Sequence, residues 1–323
     1  HIISSNINSK ASGVVSSVTS NLIIRKDYGS SDLNINVEDG GAVNDLLISG
    51  LVAEVFSSGL SKSGAGRLVL AAANTYTGAT HVNGGTLSIL GAGKIYTGSG
   101  WGPRTLHVNP SAVLEIDRWI GDGSLGQSDY RAAGLVLNGG TLRYTGAETT
   151  TPSVIDGNWG RAFSLGAGGG TLESAAPPGY VFAISQYNSD PGTYALPAFQ
   201  STLTLAGQGD GFFGKVLSGS GGVTKTGSGT WSLVRANSYT GPTSVMAGTL
   251  SLGNGTSHSN LADSSVVVVA NGAKLRLNYA GTDTVNGLSF AGVARPPGVY
   301  SSANSPFIIG TGIVTASSPP TDL

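Results

Sequence analysis

The stretch Asp117, Arg118, Trp119, Ile120, Gly121, Asp122 and Gly123 brings two carboxylates, a guanidinium and an indole into seven consecutive residues. Two carboxyls held roughly 5–10 Å apart can cut a glycosidic bond by acid–base work. Here Asp117 and Asp122 fall in one loop after a strand, and no second acidic cluster accompanies them. A polar turn, with Trp119 covering the edge of a layer, is the favoured reading. The four histidines are His1, His81, His107 and His258. No two of them stand at i,i+2 or i,i+4, so the usual spacing of zinc ligands is missing. Gly207, Gln208, Gly209, Asp210 and Gly211 superficially suggest a phosphate or Ca2+ loop. They lack the Lys-Ser/Thr of a Walker loop and the nine-residue Asp repeat of Ca2+ β-rolls, so a plain turn is expected. No Gly-x-Ser-x-Gly stretch has a credible Asp and His downstream. With no Cys in 323 residues, thiolate metal sites, disulfides and a Cys nucleophile are excluded. The expectation is therefore no catalytic, cofactor-binding or metal residue, and no cofactor.

The elements that would position any site are short strands. The chain holds 51 Gly and only 11% charged residues, against about 25% in an average soluble domain. A sequence poor in Lys, Glu and Met and rich in Gly, Ser, Thr, Val and Leu forms helices poorly. With 39% hydrophobic residues and a net charge of -1 it is not a disordered composition. That charge supplies no basic field for nucleic acid. No apolar run reaches the ~20 residues a bilayer span needs. No basic n-region precedes an apolar stretch at the start. The chain begins at His1 and reads as a mature or excised form.

Strand candidates alternate at period two: Leu68 and Leu70, Leu87 and Ile89, Leu142 and Tyr144, Leu203 and Leu205. Asn-Gly and Gly-Gly steps separate them, at Asn83-Gly84, Asn138-Gly139, Gly221-Gly222, Asn271-Gly272 and Asn286-Gly287, and supply the positive φ that corners need. Two segments then match without a gap. Leu60, Lys62, Gly64, Gly66, Leu68 and Leu70, followed by Asn74, Tyr76, Thr77, Gly78, Thr80 and Val82 and by Gly85, Thr86, Leu87 and Ser88, form the first. Val223, Lys225, Gly227, Gly229, Trp231 and Leu233, followed by Asn237, Tyr239, Thr240, Gly241, Thr243 and Val245 and by Gly248, Thr249, Leu250 and Ser251, form the second. Gly-Thr-Leu recurs at Gly140-Thr141-Leu142 and Gly170-Thr171-Leu172. Identical residues at a constant offset mark stacked structural units, each presenting the same neighbours to the next. By the same logic the repeated Asn74 and Asn237 are turn formers bonding nearby backbone, and Tyr76 and Tyr239 are packed rings whose hydroxyls find a partner.

These segments resemble the autotransporter-associated β-strand repeat. The resemblance implies a secreted bacterial protein with a right-handed parallel β-helix, a β-solenoid, as its passenger. It says little about function, because such passengers do many different things. Residues 1–45 match no repeat and are read as first rungs or a cap. Residues 46–315 are read as one elongated repeat-built β-helix, with an excursion near 175–200 where Pro177, Pro178, Pro191 and Pro197 mix with Tyr180, Tyr187 and Tyr194. Residues 316–323 are read as a tail or linker stub. Residues 1–8 either cap their own helix or add as a strand to a neighbouring copy. The function expected is that of an extracellular or cell-surface structural or interaction protein, adhesin-like or a filament or matrix subunit. Its partners would be further copies, cell-surface or matrix components, or polysaccharide. The alternative is a polysaccharide-binding or polysaccharide-degrading β-helix protein. Acidic and aromatic residues clustered on one face of neighbouring rungs would mark that alternative.

Overall fold

The computed structural model describes residues 6–25, 32–55, 57–95, 105–119, 124–125, 134–147, 163–184, 196–256 and 260–319. Among them there are strands, turns and bends and no helix. Two compact units divide the chain, His1–Glu148 with Arg161–Gly170, and Thr149–Gly160 with Thr171–Leu323.

In the first unit the chain coils so that each face collects one strand per circuit. One face stacks Asn6–Ser9, Leu33–Val37, Leu60–Ser63, Thr80–Val82, Leu106–Val108, Leu135–Leu137 and Phe163–Leu165, every neighbouring pair parallel. The next face stacks Ser16–Val18, Leu46–Ile48, Arg67–Leu70, Thr86–Ile89, Val113–Ile116 and Thr141–Tyr144 in the same way. The third face is shorter, with Leu22–Arg25 on Val52–Val55 and an isolated bridge from Ala73 to Lys94. This is a parallel β-helix.

The second unit follows the same plan. Leu203–Gly207, Val223–Lys225, Thr243–Val245, Val266–Val269 and Gly287–Phe290 form one parallel face. Val181–Ile184, Asp210–Phe213, Thr230–Leu233, Thr249–Leu252, Lys274–Leu277 and Ile308–Gly310 form another. Among the described residues, antiparallel strand pairing in this unit is confined to its C-terminal end, where Val293–Ala294 folds back on Gly287–Phe290 and Gly298–Tyr300 on Ile313–Ala316. After it, Ile308–Gly310 and Ile313–Ala316 still add in parallel to Lys274–Leu277 and Thr282–Val285.

Period-two patterning explains why the core is dry. In each repeat the residues expected to face inward do so. Leu68, Leu70, Val82, Leu87, Trp231, Val245 and Leu250 are fully buried, and Leu233 nearly so. Register is what stacks like on like: Leu68 pairs with Leu87, and Trp231 with Leu250. Glycine is required where successive rungs touch at a corner. Gly64 and Gly227 hold φ at +78° and +72°, and an added Cβ would lie 2.2 Å from the Val37 carbonyl oxygen or 2.3 Å from that of Gly207. No other residue fits both the angle and the gap.

Two readings, of the middle and of the C-terminal end, change. The stretch near 175–200 is not wholly an excursion, because Val181–Ile184 is a rung strand in register with Asp210–Phe213. Prolines cannot donate to a ladder, and Pro177 and Pro178 sit in the turn that leads into this strand. Tyr187, Pro191 and Tyr194 lie outside the described residues. The tail begins later than residue 316: Ala316 is in strand, and the Ser317 and Ser318 amides donate to Val285 and Asn286 at 3.0 and 2.8 Å. At the other end, Asn6–Ser9 pairs with its own Leu33–Val37 as a first rung. Residues 6–8 are thus already paired along one edge, while residues 1–5 lie outside the described residues.

Because Leu250 is fully buried beneath Trp231, Leu250→Ala is expected to lower unfolding free energy by about 2–5 kcal/mol. Met246→Ala, at a side chain 50% exposed, should leave it almost unchanged. Urea denaturation followed by far-UV circular dichroism separates the two outcomes.

Candidate functional site in the corners and outer faces

Flat faces satisfy their own backbone from rung to rung, but corners do not. The repeated polar residues sit at those corners. Lys62 is fully buried, and its ammonium donates to the carbonyls of Ser63, Gly64 and Gly84 at 3.0, 2.7 and 2.9 Å. Lys225, in the second copy, donates to Thr226, Gly227 and Ala247 at 2.6, 2.8 and 3.2 Å. In both, the third acceptor belongs to the following rung, so the cation clamps two turns together. Burial pulls both lysines down to about 8. The Asn74 side chain accepts from the Val52 amide at 2.9 Å and donates to Ala72 and Lys94 carbonyls at 3.0 and 2.8 Å, linking three rungs. Asn237 accepts from the Leu217 amide at 3.0 Å, the accepting half of that arrangement. The hydroxyls of Tyr76 and Tyr239 hydrogen-bond Thr80 and Thr243 at 2.8 and 2.7 Å inside the core.

Carboxylates do the same work for orphan amides. Asp32 accepts from Gly59 at 2.8 Å, Asp45 from Arg67 at 2.7 Å, and Asp210 from Thr230 at 2.8 Å. Asp283 accepts from both Asn260 and Leu261, at 2.9 and 3.0 Å. Each bond joins one rung to an adjacent one.

Asp117 belongs to this group. Its carboxylate accepts from the Gly91 amide at 2.6 Å and from the Ser124 hydroxyl at 3.1 Å. Arg118 donates to the Gly93 carbonyl at 2.7 Å, and Trp119 is buried. Both chemical side chains of the loop are thus tied to backbone of the preceding rung. Asp122 lies outside the described residues, as do His1 and His258. In the glycine-rich turn, Gly211 faces the Trp231 ring, which a Cβ would meet at 2.2 Å. That is a packing role rather than phosphate recognition.

Three groupings on the outer surfaces escape linear reading. Glu115 is buried although it points outward, and it pairs with Arg67, with Arg143 at 3.6 Å, and with the Ser88 hydroxyl at 3.3 Å. His81 and His107, one rung apart in register, stack with centroids 4.8 Å apart and planes at 6°. In the second unit a cleft of about 690 Å3 opens between residues 173–180 and 207–210, lined by Glu173, Tyr180, Gln208 and Asp210 among others. The signal that could have found all three is register. Rung partners lie some 20–30 residues apart, a spacing that no short motif displays. Among the described residues, no three His, Cys, Asp or Glu side chains gather closely enough to hold a metal ion.

The corner residues coincide with a known repeat: the Passenger-associated-transport-repeat family matches residues 60–89 and 223–252. Two segments of the chain are thus similar to that repeat. Each match opens on the strand that bears the buried lysine and closes one circuit later, at Ile89 or Leu252. The chain is also 32% identical, over 212 residues, to the Adhesin BmaC autotransporter of Brucella suis biovar 1 (strain 1330). That alignment covers 65% of this chain and 4% of the adhesin, so the chain matches only a small part of that relative's length. No solved structure matches the chain.

The clamps set a pH dependence. Unfolded lysine holds its proton near its ordinary value of 10.5, whereas Lys62, Lys225 and the buried Lys215 release theirs at about 8. Between about 8 and 10.5 the unfolded chain binds more protons, so stability rises with pH. Burial raises the Tyr76 and Tyr239 hydroxyls above their ordinary 10.0. Above that value the folded chain binds more protons, and stability falls. Denaturant midpoints measured from pH 7 to 11 should peak near pH 10. Lys62→Met should lower stability at pH 7 by about 1–3 kcal/mol, the cost of leaving buried carbonyls without their donor. Combined with Lys225→Met, it should flatten the rising limb to the share left by Lys215.

Proposed function

We propose that this chain is a length of the surface-exposed passenger of a bacterial adhesin, a scaffold that presents outer-face side chains to cell-surface or matrix components and performs no catalysis. The observation that carries the reading is the match to an autotransporter adhesin over 212 residues, beside the two segments that match a passenger-associated repeat. The chemistry of the corners supports it. Asp32, Asp45, Asp117, Asp210 and Asp283 each accept a backbone amide from an adjacent rung, so these five carboxylates serve to join rungs. The fold thus uses its acidic residues to hold its shape, and recognition falls to the outward columns.

The test is direct binding. Purified chain, fluorescently labelled, should be retained on cultured-cell layers or matrix-coated surfaces above an albumin control. Hydrolase and lyase assays on a panel of polysaccharides, with and without Ca2+, should show no turnover. Activity that disappears in a folded Asp117→Ala or Asp122→Ala variant would reverse the non-catalytic reading.

The cleft of the second unit favours one alternative, polysaccharide binding. Its volume of about 690 Å3 lies within the roughly 300–1,000 Å3 of small-ligand sites. Tyr180 brings an aromatic ring, and Glu173, Gln208 and Asp210 bring acceptors for sugar hydroxyls. If a polysaccharide retards the chain in affinity electrophoresis, Tyr180→Ala and Glu173→Gln should each reduce the retardation. Retardation that both variants leave intact would place the binding elsewhere.

A further inference from the structure

His81 stands in the strand Thr80–Val82 and His107 in Leu106–Val108, and the two strands pair in parallel with these residues opposite one another. Both rings lie on the outer face, half-exposed, while Thr80 and Leu106, and Val82 and Val108, point into the core on either side. The centroid spacing of 4.8 Å is that of neighbouring strands, about 4.7–4.9 Å, so the rungs themselves set the distance. The neighbouring polar residues brace this face. Asn109 donates to Asn83 at 2.6 Å, and Asn83 donates to Ser61, the residue that precedes His81 in its column, at 2.9 Å.

We propose that His81 and His107 form a two-imidazole site for a divalent late-transition-metal ion such as Zn2+ or Cu2+. Imidazole is a borderline-soft donor that suits these ions above Mg2+ or Ca2+. A metal–imidazole bond of about 2.0–2.1 Å allows two ligating nitrogens to stand up to about 4.2 Å apart on one ion. The centroids stand 4.8 Å apart with the planes nearly parallel, so both rings must turn about their side-chain torsions to aim one nitrogen each at a shared ion, a motion that the open outer face leaves room for. Solvent on the open side of both rings gives the ion its entry path and its remaining ligands, as water. A ligating nitrogen must be deprotonated, so binding weakens as acid protonates the pair.

The site rests on no assumption about adhesion and can be tested apart from it. The full chain carrying His1→Ala and His258→Ala removes the other two imidazoles. Zn2+ is titrated into it while the imidazole nitrogens are followed by NMR and the thermal midpoint is recorded. The expected result is one ion per chain, shifts of both His81 and His107 rings together, and a thermal midpoint that rises with Zn2+. His81→Ala or His107→Ala, each shown by circular dichroism to be folded, should weaken binding by at least about tenfold. His107→Asp, which keeps a donor, should retain part of the affinity. Zn2+ binding that is absent, or that both single variants leave unchanged, would overturn the assignment.

Discussion

A buried backbone carbonyl or amide at a corner must find a partner, and this requirement governs more of the chain than the hydrophobic core does. Straight faces of a parallel β-helix satisfy themselves, each strand bonding the rungs above and below. Corners break that ladder, and a buried group left unmet costs about 1–3 kcal/mol. With the corner repeated at every turn, unmet groups would add up beyond the 5–15 kcal/mol by which domains are usually stable. The chain answers with side chains that reach between rungs: lysines for carbonyls, aspartates for amides, and Asn74 for both.

This constraint separates what a linear reading recovers from what it does not. Inward positions are legible because alternation and burial share a period of two. Leu68, Leu87, Trp231 and Leu250 needed no structure to be placed. Lys62 and Lys225 were visible as repeated letters, but their purpose was not, since one acceptor of each clamp lies 22 residues away on another turn. Asp117 shows the opposite error. Beside Arg118 and Trp119 it has the look of chemistry, yet its partners are Gly91 on the preceding rung and Ser124 across its own loop. The strand Val181–Ile184 was obscured by the prolines before it. They mark a turn inside the coil and do not lead the chain out of it.

Histidine spacing makes the same point for the outer surface. Ligand motifs such as i,i+2 and i,i+4 assume that one strand or one helix supplies both donors. A β-helix juxtaposes side chains at the length of a circuit, and here that length varies: Leu60 pairs with Thr80, Thr80 with Leu106, and Leu106 with Leu135. With no fixed period, His81 and His107 become neighbours only once register is known. Glu115 gathers Arg67 and Arg143 from two other rungs for the same reason.

Comparing the two repeats column by column shows where variation is allowed. Inward and corner positions are held: Lys62 and Lys225, Asn74 and Asn237, Tyr76 and Tyr239, Val82 and Val245, Leu87 and Leu250. Several outward columns between them differ, although Ser88 and Ser251 are the same. His81 corresponds to Ser244, Arg67 to Thr230 and Val69 to Ser232. A substitution outward meets solvent or a flexible neighbour, whereas one at a corner orphans a buried group on two rungs at once. The same coil can therefore accept different outer side chains on successive rungs without renegotiating its stability. Any property that distinguishes this chain from others built on the same repeat must then be written in those outward columns, or in the segments that join the rungs.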